Sequence, residues 1–240
     1  MRKMSRKILD IWKIIFYFLY KKNMKIGIEL NNIIRDVNSQ MLKYYVKDID
    51  KKFDGDKLEK NVVSFIDSLG FKTKKAKENF LYVDYPYEIF GCANTTDRNT
   101  STMLNKWLIE LDNEGLNGEN VCLFSLKENA LTIQSSYYFL SKIGCRVRNV
   151  FFPKNGVDMW EKCDVIITNN ERIIKSKPEG KQVILIQTKD TKHLSSACDL
   201  VYASFTDLLT DKTFIKSLTK KTRHKSWLKK IKNNFIKIFK

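Results

Sequence analysis

The chain has 240 residues, 43% of them apolar and 30% charged, with a formal net charge of +17. That length holds one sizeable core or a core with a small insertion, and that apolar content excludes wholesale disorder. The charge is at the ends: residues 1–25 carry eight Lys/Arg and one acid, residues 216–240 carry ten Lys/Arg and no acid, and the 26 bases and 26 acids between them cancel. A neutral body with two basic arms, and not a uniformly basic domain, is the reading.

The first arm, residues 1–23, has seven residues (14–20) in its longest unbroken apolar run. Spanning a bilayer needs about 20. A basic start and an apolar middle suggest a signal peptide, but no small-residue cleavage site follows, so neither export nor a transmembrane span is expected. Three readings stay open for the arm. It is an interfacial helix with Trp12 at headgroup level and Lys21 and Lys22 beside it, a helix docked on another protein, or a little-structured extension.

"MKIGIEL" then reads as a buried strand over 24–30, running into a polar turn and a helix at 33–47. A helix ending at Gly70 follows, and "KENFLYVDYPYEIFGCA" has many aromatics and few helix signals. A helix is expected at 101–113, capped by Thr100 or Ser101, and "VCLFSL" is a second buried strand. A helix at 130–143 stops at Gly144. "VRNVFF" is a third strand, "VDMWEKC" a short helix, "DVIITNN" a fourth strand and "KQVILIQT" a fifth; "DLVYASFTDLL" adds a short strand and a helix. The strands are continuous apolar runs alternating with helices, which predicts a parallel, Rossmann-like α/β sheet covered on both faces.

In such sheets ligands bind beyond the carboxyl ends of the strands. Those ends carry Glu29 and Asn31, Ser125, and Thr168 to Asn170. The 39–118 segment interrupts the sheet between its first two strands and reads as a mostly helical cap. Other chemistry is poorly supplied. Cys92, Cys122, Cys145, Cys163 and Cys198 form no C-x-x-C pair and read as reduced core residues; His193 and His224 are the only histidines. A zinc site or a His-based triad is therefore not expected.

The last arm, residues 216–240, places Trp227, Leu228, Ile231, Phe235, Ile238 and Phe239 three and four apart, with lysines between them. That is an amphipathic helix, apolar on one stripe and cationic elsewhere. It packs back on the body with solvated lysines, or it meets something anionic through Arg223, Lys225, Trp227, Lys229, Lys230 and Lys232. The partner classes are an assembly protein or a second copy, nucleic acid, and an anionic membrane surface.

The order of strand with an acid-x-acid-like turn, cap, Ser-ended strand, helix and polar-ended strand resembles the haloacid-dehalogenase-like hydrolase superfamily. "QSSYYFLSKIG", "MWEKCDVIIT" and "KPEGKQVILI" are similar to segments of small phage-encoded members of 5′-nucleotidase type. The resemblance covers about residues 24–210. It implies a domain over 24–215, a nucleophilic Asp, a second Asp as general acid and base, a phosphate-binding hydroxyl, a lysine and Mg²⁺.

At those positions this chain has Glu29, Asn31 and Ser125. The lysine falls to Lys142, Lys154 or Lys162, and Asn169 and Asn170 replace the metal-binding acids. Asp164 sits at the wrong end of its strand. The longer Glu29 side chain misplaces an attacking oxygen, and Asn31 cannot shuttle a proton. The expectation is a non-catalytic module without a cofactor. It would be a virion or assembly component in the host cytoplasm or the particle, working through its arms. The alternative is a divergent Mg²⁺-dependent phosphatase or nucleotidase using Glu29.

Overall fold

The computed structural model describes residues 24–53, 65–114 and 116–214. Both arms lie outside these residues, and with them Trp12, Lys21, Lys22, Arg223, Lys225, Trp227, Lys229, Lys230, Lys232 and His224; so do residues 54–64 of the stretch expected to form a helix before Gly70. Six strands form one all-parallel sheet: β1 Ile26–Glu29, β2 Val121–Phe124, β3 Asn149–Phe151, β4 Val165–Thr168, β5 Gln182–Ile186 and β6 Leu200–Tyr202, in the order β3-β2-β1-β4-β5-β6. The chain is an α/β protein with a Rossmann-like sheet, as its apolar runs predict. The helices are α1 Val37–Asp48, α2 Phe65–Ser68, α3 Lys74–Asn79, α4 Thr100–Asn113, α5 Ala130–Lys142, α6 Met159–Lys162, α7 Glu171–Lys175 and α8 Phe205–Thr210. No helix among the described residues is long and apolar enough to cross a membrane.

Alternation along each strand builds two layers. Ile26, Ile28, Val121, Leu123, Val165, Ile167, Ile184 and Ile186 point to one face, where Leu104, Trp107 and Leu111 of α4, Phe139 of α5 and Leu208 of α8 cover them. Cys122, Phe124, Ile166, Val183 and Leu185 point to the other, under Met159 and Trp160 of α6 and Ile173 and Ile174 of α7. Burial on both faces is why the strands carry no polar alternation. A third, smaller core gathers Val37, Met41 and Tyr45 of α1 with Leu69, Phe80, Leu81, Ile89 and Phe90. The 39–118 segment thus divides: α4 belongs to the sheet core, and the aromatic part before it forms its own cluster.

Three local expectations are corrected. The first helix begins at Val37, not at 33. Residues 30–35 instead close a tight loop, in which the Asn32 N–H donates to the Arg35 carbonyl (2.6 Å) and Asn32 takes φ +60°. Asn tolerates that left-handed backbone, and Asp36 then caps α1 by accepting from the Ser39 N–H (3.1 Å). The "KENFLYVDYPYEIFGCA" stretch is helical. After α3 it makes two wide turns with π-type bonding, Phe80–Asp84 and Tyr87–Gly91, closed by Tyr85 N–H to Phe80 O (3.2 Å) and Cys92 N–H to Tyr87 O (2.9 Å). α4 starts at Thr100 with Asn99 at the cap position and no side-chain cap bond, while the Ser101 hydroxyl donates to the Ile143 carbonyl.

The cysteines are unpaired, and only Cys122 and Cys163 are core residues. Their sulfurs lie 3.5 Å apart, and Gly27 makes the room: a Cβ there would sit 2.7 Å from the Cys163 Sγ. Gly27→Ala is expected to cost about 1–3 kcal/mol by overpacking. Adding Cys163→Ala should recover part of that loss in urea denaturation. Additive losses from the two changes would refute the steric account.

Candidate functional site

The strand tips converge as the topology requires, but they form two closed hydrogen-bond networks. The first surrounds Glu29, the last residue of β1, which is 6% exposed. The Thr168 hydroxyl at the tip of β4 donates to its carboxylate, and the Asn170 amide and the Asn169 backbone N–H also bond to it. Thr168 in turn accepts the Asn170 N–H (2.9 Å), and the Asn170 Oδ1 caps α7 by accepting from the Arg172 N–H (3.1 Å). These donors favour the carboxylate, yet burial outweighs them and pushes the Glu29 pKa from its ordinary 4.5 to about 7.

The second network is built on Arg35 and Glu128, two residues that sequence reading did not single out. Both side chains are completely buried, and Arg35 Nη2 donates to Glu128 Oε1 at 2.8 Å. Every guanidinium group is used. Nε donates to Asn31 Oδ1 (3.0 Å), Nη1 to the Phe90 carbonyl (2.9 Å) and to Ser136 Oγ (2.7 Å), and Nη2 also to Asn31 Oδ1 (2.5 Å). The guanidinium stacks over the Phe90 ring at 5.1 Å and lies 5.6 Å from the Phe139 ring centre. Burial lowers the Arg35 pKa and Glu128 opposes the shift; the guanidinium stays charged.

Ser125 is consumed by the same network. Its hydroxyl donates to Glu128 Oε1 and accepts from Asn31 Nδ2 (3.0 Å) and, more weakly, from Arg35 Nη2 (3.4 Å). One donor and two acceptor sites are all a hydroxyl has. Glu128 Oε2 accepts from the Ser136 hydroxyl (2.7 Å). The chain delivers Glu128 inward by an unusual backbone: Lys127 takes φ +58°, and Asn129 then caps α5 in a reciprocal box with Thr132.

The three candidate lysines differ in setting. Lys142 Nζ donates to the carbonyls of Gly91 (3.1 Å) and Ala93 (2.8 Å), Lys154 is exposed, and Lys162 lies over the Phe151 ring. Asp164, at the start of β4, binds the Lys25 N–H and Lys181. A cavity of about 330 Å³ lies against α1, lined by residues such as Asp36, Gln40, Lys43 and Cys92, and includes none of the strand-tip residues.

The tips do not suit Mg²⁺. Mg²⁺ is held through ionised carboxylates, commonly one or two, with waters completing its octahedron. Here one carboxyl with a near-neutral pKa faces hydroxyl and amide donors, and Asn170 turns its oxygen away to cap α7. Among the described residues no three His, Cys, Asp or Glu side chains gather.

No family model matches the chain, and no curated protein matches it. Its fold is similar to that of a crystallised dehalogenase at 10% identity and TM-score 0.41, over 77% of this chain and 95% of that one. It is also similar to a dehalogenase solved with an intermediate complex, at 10% identity and TM-score 0.44, over 78% and 96%.

A carboxyl with a folded pKa above its unfolded value stabilises the fold in acid, and this contribution is lost as pH rises from about 4.5 through about 7. Full ionisation of Glu29 removes about 3 kcal/mol. Urea denaturation of wild type and Glu29→Gln between pH 4 and 8 should show wild type losing that much relative to the variant as pH rises. Parallel stability curves would contradict the buried, proton-retaining Glu29.

Proposed function

We propose that this is a non-catalytic α/β module of haloacid-dehalogenase-like descent, which presents two basic arms to an anionic or protein partner. The observation that carries the reading is the fate of the strand-tip groups. At the positions where the resemblance expects phosphate binding and proton transfer, the Ser125 hydroxyl donates to Glu128 and accepts from Asn31 and Arg35, and the Asn31 Oδ1 accepts twice from Arg35. A phosphate taking the Ser125 hydroxyl would remove a hydrogen bond from the buried Glu128 carboxylate, which costs about 1–3 kcal/mol.

The helical segment is held as firmly. Four consecutive carbonyls are each taken by a side chain: Phe90 by Arg35, Gly91 and Ala93 by Lys142, and Cys92 by Gln40 (2.9 Å). A cap that must open for substrate has little use for such fastening. With the crevice closed, the arms are the part of the chain left to meet partners. A component of a virus particle, tying subunits together by its arms, is the concrete form of this reading; it draws on the likeness of the second-half segments to phage-encoded proteins.

One observation favours an enzyme. A buried carboxyl of pKa about 7 is poised for proton transfer at neutral pH. The alternative is therefore a divergent phosphatase using Glu29.

Two measurements separate these readings. With a generic phosphomonoester and Mg²⁺, the full-length protein should turn over no faster than Glu29→Ala; activity that vanishes in Glu29→Ala would establish the enzyme. Retention on a polyanionic resin should fall sharply when Lys229, Lys230 and Lys232 are changed to Glu in the full chain. Unchanged retention would remove the arm from the account.

A further inference from the structure

The body is neutral overall, yet one surface of it is not. Residues 78–97 hold four acids and no Lys or Arg, and residues 129–141 hold no charged residue. These two stretches are neighbours in space. The Asn129 amide at the start of α5 donates to the Tyr82 carbonyl (3.2 Å), and two turns along α5 the Tyr138 ring meets the Tyr87 ring, centroids 5.2 Å apart.

The surface is also apolar. Val83 is 63% exposed, Leu131 51%, and Tyr87 and Tyr138 46% each. Leu131 and Tyr138 are seven residues apart on one helix and so share a face, spaced by about 10 Å. Asp84 is exposed beside Val83, and Glu88 follows Tyr87. Exposed apolar side chains grouped together and rimmed by polar residues mark interaction surfaces, and the acids beside these, Asp84 and Glu88, favour a cationic partner.

The chain carries a complementary segment. Residues 216–240 have ten cations and no acid, and an apolar stripe in which Leu228 and Phe235, and Ile231 and Ile238, repeat the same seven-residue spacing. The described chain ends at Phe214, whose ring stacks on Trp107 of α4 at 5.9 Å. α4 covers the same sheet face as α5, and its Asn105 amide donates to the Gly144 carbonyl (2.9 Å) just past the end of α5. From Phe214 to Trp227 thirteen residues reach about 40 Å when extended, enough to cross two helices of about 10 Å width.

The geometry points to the chain's own 216–240 segment as the occupant of this patch, its apolar stripe laid on Val83, Tyr87, Leu131 and Tyr138 and its lysines beside Asp84 and Glu88. Tethering gives the segment an effective concentration in the millimolar range, which favours it over the same segment of another copy. Docking in this way covers the aromatic stripe and leaves the remaining lysines facing outward. The segment then presents a cationic face in place of a membrane-inserting one. The inference does not depend on how the strand-tip crevice is read.

The test is zero-length carbodiimide cross-linking of the full-length protein, prepared as an equal mixture of ¹⁴N and ¹⁵N chains, followed by peptide mass spectrometry. Amide links from Lys225, Lys229, Lys230 or Lys232 to Asp84 or Glu88, within chains of one isotope, are expected. Their yield should fall about tenfold in Tyr87→Ser/Tyr138→Ser, which removes two half-exposed rings outside the buried cores, and stay unchanged in Ile109→Ser, which alters an exposed apolar residue of α4. Mixed-isotope links would overturn the intramolecular docking and make the patch an interface between copies. Links scattered over acids elsewhere, or a yield indifferent to the two tyrosines, would overturn the patch itself.

Discussion

A buried ion pair organises the carboxyl-end tips of the central strands. Arg35 and Glu128 meet at 2.8 Å with no exposure to water, and burying two charges is tolerable only when each is fully hydrogen-bonded. The surrounding residues meet that demand. Asn31, Ser125, Ser136 and the Phe90 carbonyl supply partners, and two aromatic rings flank the guanidinium. The strained Lys127 and the left-handed Asn32 are explained by the same need, since each bends the chain so that a charged side chain turns inward.

The pair spans the molecule as well as filling it. Arg35 comes from the loop after β1, Glu128 from the loop after β2, Ser136 from α5 and Phe90 from the aromatic cluster. One network therefore joins both central strand tips, the sheet-covering helix and the small helical core. Around it, Asp36 N–H to Asn94 O and Thr96 N–H to Ile34 O stitch the two backbone crossings together. Glu29 stands apart in its own collar of donors, holding a proton near neutrality because burial exceeds what those donors return.

The sheet was legible because a strand buried on both faces has to be a continuous apolar run, as the four central strands β1, β2, β4 and β5 are; the edge strands β3 and β6 are only half-buried and shorter. The strand-tip residues were legible for a topological reason: the parallel order brings Glu29 to Thr168 and Asn31 to Ser125 whatever their identities. Arg35 was not. In "NNIIRDVN" a lone Arg reads as the outer face of a helix, and its partner lies 93 positions away, beyond any local pattern. Glu128, in "KENA", reads as part of an ordinary turn before a cap. The aromatic stretch after α3 was misread because Pro86 and its bulky rings disfavour a regular helix. The chain resolves this with wide turns that pack Tyr45, Phe71, Phe80 and Tyr85 edge-on or tilted into one cluster.

The central claim is that Arg35 and Glu128 are a single buried unit closing the crevice, and a double-mutant cycle measures that unit directly. Arg35→Met and Glu128→Leu should each cost about 3–5 kcal/mol, because each strands a buried charge, while the double variant should cost no more than either single change. Losses that simply add in the double variant would show that the two residues act independently, and the account of a closed crevice would fail with them.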